Sequence, residues 1–175
     1  MNLMQEIKRL LPDADIYCGD ESGNGQALML RRGTEDLLAV SGALRENFSG
    51  EDMDSVRLCP LTHENRLALN CAFPYTVPVA LGKDAATFGF GDRLGYANPM
   101  QLKSLEGTKF MPVLAQQSMR ELSLMKRTYS SVIDTAAWAA FRMGWKKGFA
   151  ADGDHLKTLE EIQGALENLL QHHRD

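Results

Sequence analysis

Apolar residues recur along this chain in two rhythms, one helical and one extended. From Asn2 to Leu11, the residues Leu3, Met4, Ile7, Leu10 and Leu11 fall at helical spacing and predict a short amphipathic helix stopped by Pro12. Gln26–Arg32 and Asp36–Ser41 are short strand-like runs around Arg32-Gly33-Thr34, so they predict a hairpin. Asp20–Gly25 before them reads as a turn, and the polar stretch Gly42–Asp54 after them as loop. Val56–Cys59 predicts another short strand, and Thr62 is placed to cap a following helix. Phe73–Leu81 carries Pro74 and Pro78 and therefore predicts an extended segment rather than a central strand.

From Thr87 the rhythm changes to alternation. Strands are expected at Thr87–Phe90, Phe110–Ala115 and Phe149–Ala151. Between and after them come four expected helices: Asn98 to about Leu105 with Pro99 in its first turn, Ser118–Leu124, Thr128–Trp145 and Leu159–Leu170. Gly148 is expected to stop the third of these, with Lys146 and Lys147 at the negative end of its dipole. Alternation of this kind implies a parallel sheet with helices outside. Three strands cannot close a barrel, and a (β/α)₈ barrel takes roughly 200 residues or more. The pattern leaves two readings, a small open α/β sheet or the opening part of a larger barrel. The expected division is a small α+β lead-in over residues 1–55 and an α/β part over 56–175.

Composition narrows the function classes. The 175 residues are 44% hydrophobic and 24% charged, in the range of an ordinary globular protein. A net charge of −4, with no basic cluster beyond pairs such as Arg31-Arg32, argues against nucleic-acid binding. Cys18, Cys59 and Cys71 are odd in number and show no C-x-x-C pairing, which fits free thiols in a reducing cytoplasm. Nothing resembles a signal peptide or a run long enough to span a bilayer, so no membrane role is expected.

Each apolar run after Thr87 ends in polar chemistry, where parallel α/β folds place their ligands. The first ends in Asp92 and Arg93 after Gly-Phe-Gly, the second in Gln116, Gln117 and Ser118, and the third in Asp152, Asp154, His155 and Lys157. Asp152, Asp154 and His155 are ligand types for Mg²⁺, Mn²⁺ or Zn²⁺. In a continuous strand His155 would face away from the two acids, and either acid could instead cap the final helix. Arg93 could be a surface ion pair or a substrate contact, and Lys157 could meet a carboxylate or only water. Ser118 could hydrogen-bond a polyol, or cap the next helix with Glu121 at the capping-box position. The glycines around Asp92 lack the full dinucleotide fingerprint.

Together, Thr87-Phe-Gly-Phe-Gly-Asp-Arg-Leu-Gly95, Pro112-Val-Leu-Ala-Gln-Gln-Ser-Met-Arg-Glu-Leu122 and Gly148-Phe-Ala-Ala-Asp-Gly-Asp-His-Leu-Lys-Thr158 resemble the tagaturonate epimerase family of hexuronate breakdown. The resemblance is greatest after about Val56. It implies a partial (β/α)₈-type barrel, preceded by the α+β segment, and an isomerase interconverting D-tagaturonate and D-fructuronate. The inverted carbon lies one bond beyond the carbon next to the ketone, so the implied route is retro-aldol cleavage, rotation and re-addition. The implied cofactor is a divalent metal (Zn, Mn or Mg) that polarises the ketone, with His155 and Asp152 as ligands. The implied catalytic residues are Asp92, Asp154 and Lys157, and the implied substrate-binding residues are Arg93, Gln116, Gln117 and Ser118. Family members are longer, so the chain is expected to be an N-terminal portion that leaves apolar faces uncovered. The implied partners are a hexuronate and a C-terminal half supplied by another chain. The alternative is a non-catalytic sugar-acid-binding remnant of such an enzyme.

Overall fold

The computed structural model describes residues 2–23, 25–154 and 156–170, and only the backbone of Gln116, Gln117, Met119, Asp154 and residues 168–170. The chain divides into two units: Met1–Pro74 with Phe141–Gly144, and Tyr75–Ala140 with Trp145–Asp175.

The first unit begins with α1 (Leu3–Leu10). Asn2 caps it, accepting from the Met4 N–H at 3.0 Å. Five strands follow: β1 (Asp15–Ser22), β2 (Gly25–Arg32), β3 (Glu35–Ser41), β4 (Glu51–Met53) and β5 (Val56–Pro60). They form an antiparallel sheet in the order β1-β2-β3-β5-β4. The turn between β2 and β3 places Gly33 at φ +61°, a left-handed conformation that glycine adopts without steric cost. Next comes α2 (His63–Ala72), capped by Thr62, which accepts from the Asn65 N–H at 3.3 Å.

The helical stripe on α1 finds its partner here. Leu3, Ile7 and Leu11 pack on Leu28, Leu30, Leu37, Ala39, Val56 and Leu58 of the sheet. Each such side chain contributes about 1.5–3 kcal/mol when fully buried. Ala27, Met29, Leu38 and Val40 alternate with these on β2 and β3 and are buried too, so both faces of the sheet are covered. Within the first turn of α2, Asn65 is buried and hydrogen-bonded through both ends of its amide. Its amide donates to the Ser49 and Pro60 carbonyls and accepts from the Ser49 N–H, each at 2.8 Å.

The second unit holds β6 (Thr87–Gly91), α3 (Asn98–Ser104), β7 (Met111–Ser118), α4 (Met119–Met125), α5 (Tyr129–Arg142, its last two residues counted with the first unit), β8 (Ala150–Asp154) and α6 (Leu159–Leu170). Its strands are parallel, in the order β6-β7-β8. Gly91 pairs with Gln116, and Gln116 with Asp152, so the three strands end at one edge of the sheet. The proline-rich segment expected to be extended instead begins with a 3-10 turn at Pro74–Thr76 and is strand-like only around Pro78. Pro78 bridges Phe149 in parallel, and the Val79 N–H donates to the Phe149 carbonyl at 2.8 Å. The expected helix to Trp145 stops at Arg142, because Gly144 turns left-handed at φ +58°.

The fold class needs correction. The expected α/β chain forming part of a (β/α)₈-type barrel is instead a five-stranded antiparallel sheet and a separate, open three-stranded parallel sheet. No barrel is present among the described residues. Two antiparallel strands escaped notice because β1 and β4 are built largely from polar residues and carry no apolar alternation. Local β-α alternation, for its part, specifies parallel pairing but not closure. No helix among the described residues is long and apolar enough to cross a membrane.

Candidate functional site

The loop after β6 is organised by one carboxylate. Asp92 is only 7% exposed. Its Oδ1 accepts from the backbone N–H groups of Gly95 (2.8 Å) and Tyr96 (3.1 Å), and its Oδ2 from those of Ala97 (2.7 Å) and Asn98 (3.1 Å). A buried carboxylate is costly unless hydrogen-bonded, and four amide donors meet that need. They also satisfy N–H groups at the start of α3 that have no partner within the helix. Gly95 closes the loop at φ +80°, where a Cβ would sit 3.0 Å from Thr135 Cγ2 and 3.2 Å from Arg127 Nη2.

Arg127 grips the same loop through backbone carbonyls. Its Nη1 donates to the carbonyls of Asp92 (2.8 Å) and Arg93 (3.3 Å). Its Nη2 donates to the Ser131 carbonyl (3.1 Å) and Thr135 Oγ1 (3.0 Å). Burial pulls the guanidinium pKa below its ordinary value, and Asp92 pulls it back up. An arginine in such a place keeps its charge.

Beside this loop lies a concavity of about 730 Å³, lined by Arg93, Ser118, Arg120, Glu121, Ser123, Leu124, Met125, Lys157 and Glu161. It brings three cations together with two carboxylates. Glu121 forms an ion pair with Arg93. Ser118 is the N-cap of α4 and accepts from the Glu121 N–H at 3.4 Å. Thr158 caps α6 and accepts from the Glu161 N–H at 3.2 Å. The Glu161 carboxylate reaches back to the N–H groups of Lys157 (2.6 Å) and Thr158 (2.9 Å), a capping box. The Lys157 amide, then that of Thr158, holds the Glu161 carboxyl below its ordinary pKa.

Of the residues singled out in the sequence, Arg93, Ser118 and Lys157 share this concavity. Asp92 lines a shallower neighbour, which also includes Arg93, Glu121 and Met125. Asp152 lies elsewhere, at a small cavity with Ala115, Tyr129, Val132, Ile133 and Ala165, between the sheet and the helices. Gln116, Gln117 and Asp154 are placed by backbone register alone, and His155 lies outside the described residues. Among the described residues no three His, Cys, Asp or Glu side chains gather around a common point. Sequence reasoning missed Arg120, Arg127 and Glu161. Only Glu161 left a signal, the Thr158-x-x-Glu161 capping pattern.

A family model described as tagaturonate epimerase matches residues 16–171. The tagaturonate/fructuronate epimerase of Thermotoga maritima is 41% identical over 107 residues, which cover 61% of this chain and 22% of that protein. A glycerol-complexed crystal structure of fructuronate-tagaturonate epimerase from Cohnella laeviribosi matches with TM-score 0.89 and 44% identity, over 95% of this chain and 35% of that one. The native crystal structure of the same enzyme matches with TM-score 0.89 over 94% of this chain. The chain thus spans 22% of the curated relative's length and 35% of the solved chains' length.

Proposed function

The chain belongs to the tagaturonate epimerase family, and from that premise we propose that it supplies part of an epimerase interconverting D-tagaturonate and D-fructuronate. Its share of the work is to hold the substrate's carboxylate. The observation behind this reading is the convergence of Arg93, Arg120 and Lys157 on one concavity at the C-terminal side of a parallel sheet. A guanidinium can grip a carboxylate through two parallel N–H···O bonds, and an ammonium adds a point charge. Ser118 adds a hydroxyl for the sugar.

Inversion two bonds from a ketone fits a retro-aldol route. The hydroxyl proton leaves to a base, the carbon–carbon bond next to that hydroxyl breaks, and the electron pair passes into an enediolate. After rotation of the aldehyde fragment, the same bond re-forms on the other face. Anchoring the carboxylate would keep that fragment from escaping. Asp92 does not suit the base, since its oxygens already accept four amides. We assign it to loop construction.

A divalent metal would polarise the ketone. Asp152 is a suitable ligand type, but it sits apart from Arg93 and Lys157. The described residues therefore do not assemble a metal site.

The test is to incubate the chain with D-tagaturonate and Zn²⁺, Mn²⁺ or Mg²⁺, with and without a polypeptide covering the rest of that length. D-Fructuronate is expected in the combined mixture. No conversion in any mixture overturns the epimerase assignment. Calorimetry on the chain alone tests its share: D-tagaturonate should bind more tightly than D-tagatose, which lacks the carboxylate.

A further inference from the structure

We infer that Arg127 is a positioning residue that presents Arg93 to the substrate carboxylate, by clamping the β6–α3 loop to the start of α5. This rests on the carboxylate reading of the concavity. Arg93 itself is mostly exposed, with 70% of its side-chain surface free and Glu121 as its ion-pair partner. Binding through such a residue must order both its backbone and its side chain, and a loop already fixed removes the backbone part of that cost. The backbone here is fixed by two residues. Asp92 draws the amides of residues 95–98 inward. Arg127 holds the carbonyls of Asp92 and Arg93.

The other half of the Arg127 guanidinium ties this loop to α5 through the Ser131 carbonyl and Thr135 Oγ1. One planar group thus fixes the Arg93 backbone relative to a helix whose Val132, Ile133 and Ala136 are buried. Gly95 lets the guanidinium pass, because a Cβ would stand 3.2 Å from Nη2. Arg127 is absent from the concavity's lining, so it acts through Arg93 and not on the ligand. Methionine at 127 would keep much of the bulk and lose all four hydrogen bonds. Lysine could not replace the fork geometry.

Three variants of the full chain test this, R93M, R127M and T135V, each first checked for native thermal unfolding. R93M should weaken D-tagaturonate binding about tenfold or more while leaving D-tagatose unchanged. R127M should reproduce that selective loss, and R93M/R127M should be no weaker than R93M alone, since both act on one contact. T135V removes one of the four Arg127 acceptors, together with the Thr135 hydroxyl's own bond to the Val132 carbonyl (2.9 Å), and should move affinity in the same direction by less. Hydrogen exchange at residues 95–98 should quicken in R127M and T135V. General loosening of the fold would weaken both sugars alike. Unchanged tagaturonate affinity in R127M, or losses that add in the double variant, overturns the positioning role while leaving R93M to uphold the carboxylate reading. If R93M binds tagaturonate as the wild type does, that reading falls and this inference with it.

Discussion

The two units solve the burial problem differently. In the antiparallel unit the apolar residues of β2 and β3 are covered on both faces, and Met4 is its single exposed large hydrophobic among the described residues. In the parallel unit Phe88, Leu94, Met100, Leu124 and Leu159 are exposed, and Tyr96 is 83% exposed. The Phe88 ring lies 4.9 Å from that of Phe90, tilted, and 6.3 Å from that of Phe110, edge-on, making an aromatic patch. Parallel sheets are normally covered on both faces, and exposed apolar patches mark interaction surfaces. The unit that carries the cationic concavity is thus the unit left partly uncovered. The lesson is a division of labour: one unit buries its apolar residues, while the other leaves several of them exposed beside its cationic concavity.

The sharpest way to break this contrast is to shave one residue from each unit's apolar set. Leu30→Ala, fully buried, should cost about 2–5 kcal/mol in urea unfolding. If it costs no more than truncating an exposed leucine of the second unit, the first unit is not the buried core described. Next in size is Gly95→Ala, where a positive φ and a crowded Cβ coincide. A loss of about 1–3 kcal/mol is expected. A neutral result would show that the loop relaxes freely.

A third test uses pH. Burial, opposed by Arg57, pushes the Cys59 thiol from 9.0 up to about 12. A pKa raised by folding means that the folded protein holds the proton longer. The contribution is fully present below the unfolded value and is lost as pH rises towards the folded one. Between pH 9 and 11 stability should fall by at most about 1.4 kcal/mol per pH unit from this group. Cys59→Ala should flatten that part of the slope, and identical slopes would mean that the thiol is not sealed in. The smallest effect belongs to Leu124→Ser at the exposed surface, expected within about 0.5 kcal/mol. Its change should appear as greater solubility, and a large destabilisation would show that this leucine is already covered.

Legibility followed the type of signal each element carries. The α1 stripe, the β2–β3 hairpin, the Thr62 cap, the bounds of α6 and the alternation after Thr87 are local patterns of apolar spacing and capping chemistry, so they could be read directly. β1 and β4 could not, because polar edge strands are recruited by neighbours that offer hydrogen bonds and not by their own residues. At the site, Arg93, Ser118 and Lys157 were visible as polar groups closing apolar runs. Arg127 was not, since its partners are backbone carbonyls and a threonine brought near by the fold. Asp152 was read with the same group, yet it lines a different cavity, because composition cannot tell on which side of a strand a carboxylate lies.

The glycine turn at Gly33 also has a consequence in time. It lets β2 and β3 meet through a link of two residues, and hairpins of that kind close within microseconds. β6, β7 and β8 can pair only after whole helices have been threaded between them, and such distant pairings are slow. Pulsed exchange should find Leu28–Leu30 protected before Val113–Ala115, and the reverse order would refute this chronology. While the chain is young, the β2–β3 hairpin is already paired, and the surface around Phe88 is the part most exposed to mispairing with its neighbours.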